Sequence, residues 1–234
     1  MRGCTAKWIS FLYLAIIPTL FAQTAKTDKP VKHEEANPSP TPENPIGLSM
    51  EGRFYAEKGN AAFANNDLKT AKANYEKVLA LSPDNILGMV NLGAVYYSLK
   101  QYKEAEEILS RAISKQIRTP AAWMTLGLIY MEQSRENEAF AALSFAAAYD
   151  PKNARIHNYL GVVAGHKGWY DAAEAELRKA LEIDPKLNEA NFNLAVFYME
   201  RKPPAIELAR RHYQRAIELG AEPDPILEKA FEKK

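Results

Sequence analysis

Cysteine is almost absent from this sequence: its 234 residues include a single one, Cys4. An internal disulfide and a zinc site built from cysteine pairs are therefore excluded. Charge of one sign is also lacking, since 30 basic side chains are balanced by 29 acidic ones. This balance argues against a nucleic-acid-binding protein, which needs a basic surface. The 47% of hydrophobic residues is typical of a globular protein that buries a core.

The residue patterns of a catalytic or metal site are missing as well. The glycines occur singly rather than in a phosphate-binding loop. The neighbours Glu174 and Glu176 fall on the outward face of a predicted helix, where solvated charge is usual. His157 and His166 are nine residues apart on one predicted helix and so lie on opposite faces, which prevents them from sharing a metal. We expect a non-enzymatic protein with no cofactor and no metal.

The N-terminal segment 1–22 differs from the rest of the sequence. Arg2 and Lys7 give a basic start, and residues 8–22 then form a mostly apolar run without a charge. A membrane-spanning helix needs about 20 apolar residues, which is more than this run provides, and Pro18 interrupts it. The pattern is typical of a secretory signal peptide that is cleaved after Ala22, and retention as an uncleaved anchor is the alternative. We therefore predict export to the periplasm or the outside of the cell.

Residues 23–49 are polar and punctuated by proline. The prolines are Pro30, Pro38, Pro40, Pro42 and Pro45. This spacing forbids a helix, and the segment has too little apolar surface to form a core. We expect residues 23–49 to be a disordered, proline-rich linker that acts as a spacer.

The remainder of the sequence repeats with a constant period of about 34 residues, a length typical of stacked helical hairpins. Glycine recurs at Gly59, Gly93, Gly127 and Gly161, and Ala195 takes the next step. Each glycine is followed at a fixed distance by an alanine, and each alanine by a large apolar residue one helical turn later. These positions are Ala71, Ala105, Ala139 and Ala173, then Tyr75, Leu109, Leu143 and Leu177. A glycine lets two helices approach closely, and the large residue fills the gap between repeats, so the pattern predicts helical hairpins that stack on one another.

With this pattern the segment resembles the tetratricopeptide repeat family. The resemblance covers about residues 52–221 and implies an all-α fold, an α-solenoid of helix–turn–helix repeats. Five repeats are expected at about residues 52–85, 86–119, 120–153, 154–187 and 188–223. Residues 224–234 are predicted to form a C-terminal capping helix that starts at Asp224 and Pro225. Its apolar stripe, which we expect to cover repeat 5, consists of Ile226, Leu227, Ala230 and Phe231.

Two departures from the period carry predictions of their own. Repeat 2 has Ile117 where a proline is expected, so Pro120 is predicted to start the next helix. Repeat 5 contains two extra residues, including Pro203, which we place in the turn between its helices. His157 occupies the position that holds Trp123 one repeat earlier, and we interpret it as a packed core residue rather than a ligand.

The resemblance implies a partner-binding surface on the first helix of each repeat, helix A, which lines the concave side in this family. The residues assigned to it are Val90, Asn91, Tyr97, Met124, Leu128, Met131, Tyr159, Val162 and Phe192. Flexible methionine beside tyrosine suits a groove for an extended or helical peptide. Packing against neighbouring helices is the alternative for Leu128 and Val162, whereas Tyr97, Met131 and Tyr159 are expected to be uncovered.

One subgroup of the family clamps the C-terminal carboxylate of a chaperone with two asparagines and several basic residues. Asn60 and Asn91 match the asparagines, but Ala56, Ala121 and Thr125 stand where lysine or arginine is needed. A carboxylate bound here would be desolvated without a counter-charge, which is costly. We therefore expect no binding of chaperone tails.

Repeat 3 has an unusual second helix. Phe140 and Phe145 stand where the other repeats mostly place charged or small residues. One interpretation turns Phe140 inward, where it replaces the aromatic residue that is missing at Glu136. The other makes Phe145 part of a second contact surface for weak self-association, because exposed apolar patches mark interfaces.

Two functions remain open. The first is a scaffold that binds a protein or peptide in the cell envelope or the extracellular space. The alternative is an accessory module of an envelope enzyme system that handles polysaccharide or peptidoglycan. The aromatic positions of the stripe alternate with methionine, valine and leucine, which favours a peptide. Nucleic acid is not an expected partner, and a membrane contact would require an uncleaved N-terminal segment.

Overall fold

The computed structural model describes residues 47–232, and the predicted signal peptide and nearly all of the predicted linker lie outside them. The described chain is helical and contains no β-strand. Its helices are α1 Met50–Ala64, α2 Leu68–Leu81, α3 Ile86–Ser98, α4 Tyr102–Lys115, α5 Pro120–Glu132, α6 Glu136–Tyr149, α7 Ala154–His166, α8 Tyr170–Ile183, α9 Asn188–Glu200, α10 Ile206–Glu218 and α11 Pro225–Glu232. None of these helices is long and apolar enough to cross a membrane. The predicted all-α fold is confirmed.

The helices form two compact units, of which the first ends at Ile129 and the second begins at Tyr130, inside α5. In the first unit, α1 packs against α2, α2 against α3, and α3 against α4. In the second, α6 packs against α7, α7 against α8, α8 against α9, and α9 against α10. Within each unit a hairpin therefore contacts the next hairpin along the chain, which is the packing of a repeat protein.

The turn inside four of the hairpins uses one residue with positive φ. Asn66, Lys100, Ser134 and Gly168 have φ angles of 58°, 58°, 57° and 74°, and they follow one another at the period of the repeat. A left-handed residue after the first helix ends it and reverses the chain. In repeat 5 the extra residues occupy this turn instead, and the peptide bond between Lys202 and Pro203 is cis.

The repeating glycines stand where the two helices of a hairpin are closest. A Cβ atom added to Gly93 would lie 2.5 Å from Leu109 Cδ2, and one added to Gly161 would lie 2.6 Å from Leu177 Cγ. Both distances are far below an ordinary van der Waals contact. The role predicted for the glycines is confirmed, because helix A can take no side chain opposite these large residues.

The core of the second unit lies between α7, α8, α9, α10 and α11. Its buried members are Ala164, Ala173, Leu177, Leu194, Ala195, Phe197, Tyr198, Ala209, Tyr213, Leu227 and Phe231. The alanines let the helices approach, and the aromatic rings fill the space between repeat 5 and the last helix. The predicted capping helix is thus part of this core.

The predicted helix starts agree with the structure, with one correction in the last helix. Pro120 is the first residue of α5, and α10 starts at Ile206 after the insertion. Asp224 caps α11, since its Oδ1 accepts hydrogen bonds from the backbone N–H of Ile226 at 2.7 Å and of Leu227 at 3.2 Å. Ile226 does not join the covering stripe, because its side chain is 57% exposed. It precedes Leu227 by one residue, or about 100° around the helix.

Candidate peptide-binding face and exposed aromatic edge

In the first unit the predicted stripe is buried. The exposed fractions are 3% for Val90, 6% for Asn91, 6% for Tyr97, 2% for Met124 and 5% for Leu128. The expectation that Tyr97 is uncovered is therefore not met. A role of these five residues in binding a partner stays a prediction, since burial by itself identifies no partner.

A small polar network crosses helix A of the first two repeats. Asn60 Oδ1 accepts a hydrogen bond from the Tyr75 hydroxyl at 2.7 Å and one from Asn91 Nδ2 at 3.3 Å. Burial raises the pKa of Tyr75, so its hydroxyl remains a donor at neutral pH. The oxygen of the Asn91 amide differs from its nitrogen: Oδ1 is buried and has no hydrogen-bond partner among the described residues. An acceptor left in this state destabilises the fold by about 1–3 kcal/mol.

In the second unit the predicted residues lie on α5, α7 and α9. Met131 is 4% exposed, so the expectation that it is uncovered is not met either. Tyr159, Val162 and Phe192 are half-buried. An amide pair joins α7 to α9, since Asn193 Nδ2 donates to Asn158 Oδ1 at 2.8 Å. The Phe192 ring lies 6.2 Å from the Tyr213 ring, so part of it belongs to the core. Tyr159 and Phe192 are thus the partly accessible aromatic residues of the predicted stripe.

Two ionisable side chains near this face, Tyr159 and His166, are uncharged at physiological pH. Burial raises the pKa of Tyr159 to about 12, with the Arg155 cation opposing the shift and the Glu189 carboxylate adding to it. Burial lowers the pKa of His166, and Glu136 opposes that shift. A ligand on this face of α7 and α9 would therefore meet an uncharged phenol and an uncharged imidazole beside apolar side chains.

The two phenylalanines of α6 have different environments. Phe140 packs against the core of the second unit and meets the Trp169 ring edge to face at 5.1 Å. This confirms the interpretation in which Phe140 turns inward. Phe145 is 45% exposed and stacks on Tyr149 at 6.4 Å. Its role as a contact surface stays a prediction.

Two exposed aromatic residues were not identified from the sequence. Trp169 and Tyr170 are each 46% exposed at the start of α8. They line an open cavity of about 670 Å³, whose other wall is formed by Glu200, Arg201 and Lys202. The sequence did contain a signal for Trp169. It occupies the repeat position that Asp67, Gln101 and Arg135 hold in the earlier repeats.

Behind this cavity a polar cluster joins α8 to α9. The Tyr198 hydroxyl donates to Glu174 at 2.7 Å, and Arg178 donates to the Tyr198 oxygen at 2.8 Å. Burial alone would raise the pKa of Glu174, but the hydrogen bonds from Tyr198 and Arg178 hold it below its usual value. Glu174 is therefore an anion that serves the interface between repeats 4 and 5 and is not free for proton transfer.

Comparison with known proteins agrees with this architecture. The family model of the C-terminal domain of cilia and flagella-associated protein 70, a tetratricopeptide repeat model, matches residues 32–229. Stress-induced-phosphoprotein 1 of Caenorhabditis elegans is 28% identical over 178 residues, which make up 74% of this chain and 54% of the relative. The matched segment amounts to between 5% and 54% of the length of the curated relatives.

Two solved structures are similar in fold. PilF of Pseudomonas aeruginosa superposes with a TM-score of 0.69 at 21% identity, over 78% of this chain and 85% of that one. YrrB, described as a tetratricopeptide repeat protein with an unusual peptide-binding site, superposes with a TM-score of 0.58 at 24% identity, over 77% and 91%. Since the family model spans most of the chain and the hairpins repeat as it requires, this chain belongs to the tetratricopeptide repeat family of the cilia and flagella-associated protein 70 C-terminal domain.

Proposed function

We propose that this protein is a non-enzymatic scaffold outside the cytoplasm, and that it binds an extended peptide segment of a partner protein on the helix-A face of its repeats. The observation that carries the proposal is the carboxamide oxygen of Asn91, which is buried without a hydrogen-bond partner within residues 47–232. A bound backbone N–H would satisfy this acceptor and recover the free energy that the unpaired group costs.

The charges of the first unit favour a peptide backbone over a carboxylate as the ligand group. Ala56, Ala121 and Thr125 are uncharged, and the Thr125 hydroxyl already donates to the Ala121 carbonyl oxygen at 2.9 Å. A carboxylate beside Asn91 would therefore lack a counter-charge and lose its hydration, which is unfavourable. An amide N–H needs only an acceptor. The peptide-binding site that YrrB is described as having supports this choice of ligand.

The proposal is tested by selecting ligands for the full chain from a display library of random peptides. The peptide that is enriched most strongly is synthesised and titrated by calorimetry. We expect Asn91→Leu to weaken its binding at least about tenfold, equal to about 1.4 kcal/mol, because the acceptor is lost. The melting temperature should change little, because the variant removes the unpaired acceptor together with one hydrogen bond to Asn60, whose Oδ1 still accepts from the Tyr75 hydroxyl.

Asn74→Leu is the matched control. Asn74 is also buried, at 8% exposed, but it lies on α2 and uses its amide N–H on the Thr70 carbonyl oxygen at 2.8 Å. Its loss should lower stability and leave peptide affinity unchanged. Failure to enrich any peptide, or wild-type affinity in Asn91→Leu, would overturn the proposal.

The location outside the cytoplasm rests on the signal-like N-terminus. Arg2 and Lys7 precede the uncharged run at residues 8–22, which suits a secretory signal better than a spanning helix. The intact mass of the exported protein tests it, and a chain that begins at Gln23 is expected. A species that still carries residues 1–22 would mean that the segment is an anchor.

Weak self-association through repeat 3 is a further part of the proposal. Phe145 is 45% exposed on α6, and the chain from residue 139 to residue 149 carries no charge. An uncharged helix face with an exposed aromatic ring is typical of a contact surface.

A further inference from the structure

The cavity at the start of α8 is separate from the helix-A face and is built by two turns. One wall is the turn of repeat 4, residues 168–172, and the other is the end of α9 with the inserted turn, residues 200–202. Its volume of about 670 Å³ lies in the usual range of small-molecule sites. We call it the turn cavity. The two extra residues of repeat 5 follow its second wall directly.

The aromatic rings of the turn cavity are held in place but remain open. Phe140 contacts the Trp169 ring edge to face at 5.1 Å, and Lys167 Nζ lies 4.4 Å from the centroid of the same ring. Tyr170 rests against Phe197 at 6.1 Å. Even so, 46% of the surface of each of Trp169 and Tyr170 is exposed. Two fixed rings with open surfaces provide a platform for a ligand.

The polar ends of these rings have no protein partner among the described residues. Neither the Trp169 indole N–H nor the Tyr170 hydroxyl makes a hydrogen bond in this part of the chain. Trp123 shows the opposite case, since its indole N–H donates to the Ile117 carbonyl oxygen at 2.8 Å and stabilises a turn. Trp169 has no such structural role. Its donor is available for a ligand.

The rim of the turn cavity supplies both an acceptor and donors. Asp171 and Lys202 are exposed and form no ion pair within residues 47–232. Arg201 lies between them in the same cavity and is held by Glu174 at 3.4 Å. A ligand in the turn cavity therefore meets apolar ring faces, one free carboxylate and several N–H donors.

We propose that the turn cavity binds a neutral oligosaccharide. A sugar ring offers an apolar C–H face that stacks on an aromatic ring, and its hydroxyls both donate and accept hydrogen bonds. Asp171 would accept from hydroxyls, and Trp169 and Lys202 would donate to them. A proline-rich peptide also suits exposed aromatic rings, but proline has no N–H and would leave Asp171 desolvated. The two carboxylates of the lining, Asp171 and Glu200, are balanced by the two cations Arg201 and Lys202, so the turn cavity favours neither an anionic nor a cationic ligand.

To test this, the full chain is titrated with chitotetraose, cellotetraose and maltotetraose at concentrations up to about 1 mM. Binding is measured by calorimetry and by tryptophan fluorescence. Saturable binding of one of these sugars with a change in fluorescence is expected. Trp169→Ala should abolish it, and Asp171→Asn should weaken it several-fold. Phe54→Ala is the matched control, because Phe54 is a similarly exposed aromatic residue, at 50%, and its loss should leave sugar binding unchanged.

Further variants keep the result interpretable. If Trp169→Ala lowers the melting temperature, the double variant Asp171→Asn with Lys202→Ala is tested instead, because both positions are exposed. The same loss of binding is expected. Asn91→Leu should bind the sugar normally, which separates this site from the peptide face. A synthetic peptide of residues 36–46 is titrated in parallel. Binding of that peptide but no sugar, no binding at all, or full sugar binding in Trp169→Ala would overturn the proposal.

Discussion

His157 and Glu176 are joined across one hairpin by a contact of 2.6 Å between the imidazole Nδ1 and a carboxylate oxygen. The other ring nitrogen lies 3.0 Å from the carbonyl oxygen of Pro151. The two ring nitrogens therefore link the Glu176 carboxylate to the backbone of the preceding turn. With 2% exposure, His157 is the packed core residue predicted from its position.

This pairing predicts a specific loss of stability. Glu176→Ala leaves a buried imidazole nitrogen without its hydrogen-bond partner, and we expect the free energy of unfolding to fall by about 1–3 kcal/mol. Urea denaturation measures it. In the double variant with His157→Phe the two losses should not add. Glu182→Ala, an exposed position on the same helix, is the control and should change little. Strictly additive losses would contradict the pairing.

The glycines of α7 predict opposite effects of the same substitution. In Gly161→Ala the new Cβ would lie 2.6 Å from Leu177 Cγ and 3.1 Å from the Ala173 carbonyl oxygen, whereas in Gly165→Ala its nearest neighbour would be Ala173 Cβ at 3.9 Å. We expect Gly161→Ala to destabilise the protein by about 1–3 kcal/mol through overpacking. Gly165→Ala should stabilise it by up to about 1 kcal/mol, because alanine favours helix. Thermal melting compares the two, and equal shifts would contradict the close packing.

Acidification should weaken the fold through two histidines. Burial lowers the pKa of His212, with Arg178 adding to the shift and Glu174 opposing it, and burial also lowers that of His166. The ordinary histidine value is 6.5, so below that pH the unfolded chain binds more protons than the folded one. The two histidines therefore contribute stability that is complete above pH 6.5 and is lost as the pH falls toward their folded-state pKa values.

Urea unfolding at about pH 7.5 and about pH 5 measures this loss. His212→Gln removes one titrating ring, keeps an amide that can donate to Asn191 Oδ1 in place of the contact of 3.0 Å, and should make the decline shallower. A decline of unchanged size in this variant would assign the acid sensitivity to other groups.

Self-association through repeat 3 predicts a concentration-dependent sedimentation coefficient. Phe145→Glu places a charge in the uncharged face of α6 and should keep the protein monomeric at all concentrations. Phe54→Glu is the control, since Phe54 is 50% exposed on α1. Sedimentation that is the same for wild type and Phe145→Glu would remove α6 as a contact surface.

The sequence predicts the fold well because the repeat encodes contacts that lie within one hairpin. Gly93 and Leu109 have to meet wherever two helices of this length fold back on each other. The starts of α5 at Pro120 and of α10 at Ile206 follow from local backbone chemistry. Each of these features depends on a few residues that lie close together in the sequence. A regular repeat makes such residues recognisable, because they recur at the same positions.

The candidate sites were harder to predict. The position of a residue within the repeat indicates which face of the helix it lies on, but not what packs over that face. Tyr97 was expected to be uncovered and is 6% exposed. Tyr170 matches Tyr102 in the register, yet it is 46% exposed beside the turn cavity. Its exposure depends on the path of the inserted residues near Lys202, for which no other repeat is a guide.

The close glycine contacts join residues that are sixteen positions apart, namely Gly59 with Tyr75, Gly93 with Leu109, and Gly161 with Leu177. Closing such short loops costs little chain entropy, and proteins dominated by local pairs of this kind fold fast. The same local contact recurs in several hairpins along the chain. Folding can therefore begin in any of these hairpins and spread to the neighbouring ones.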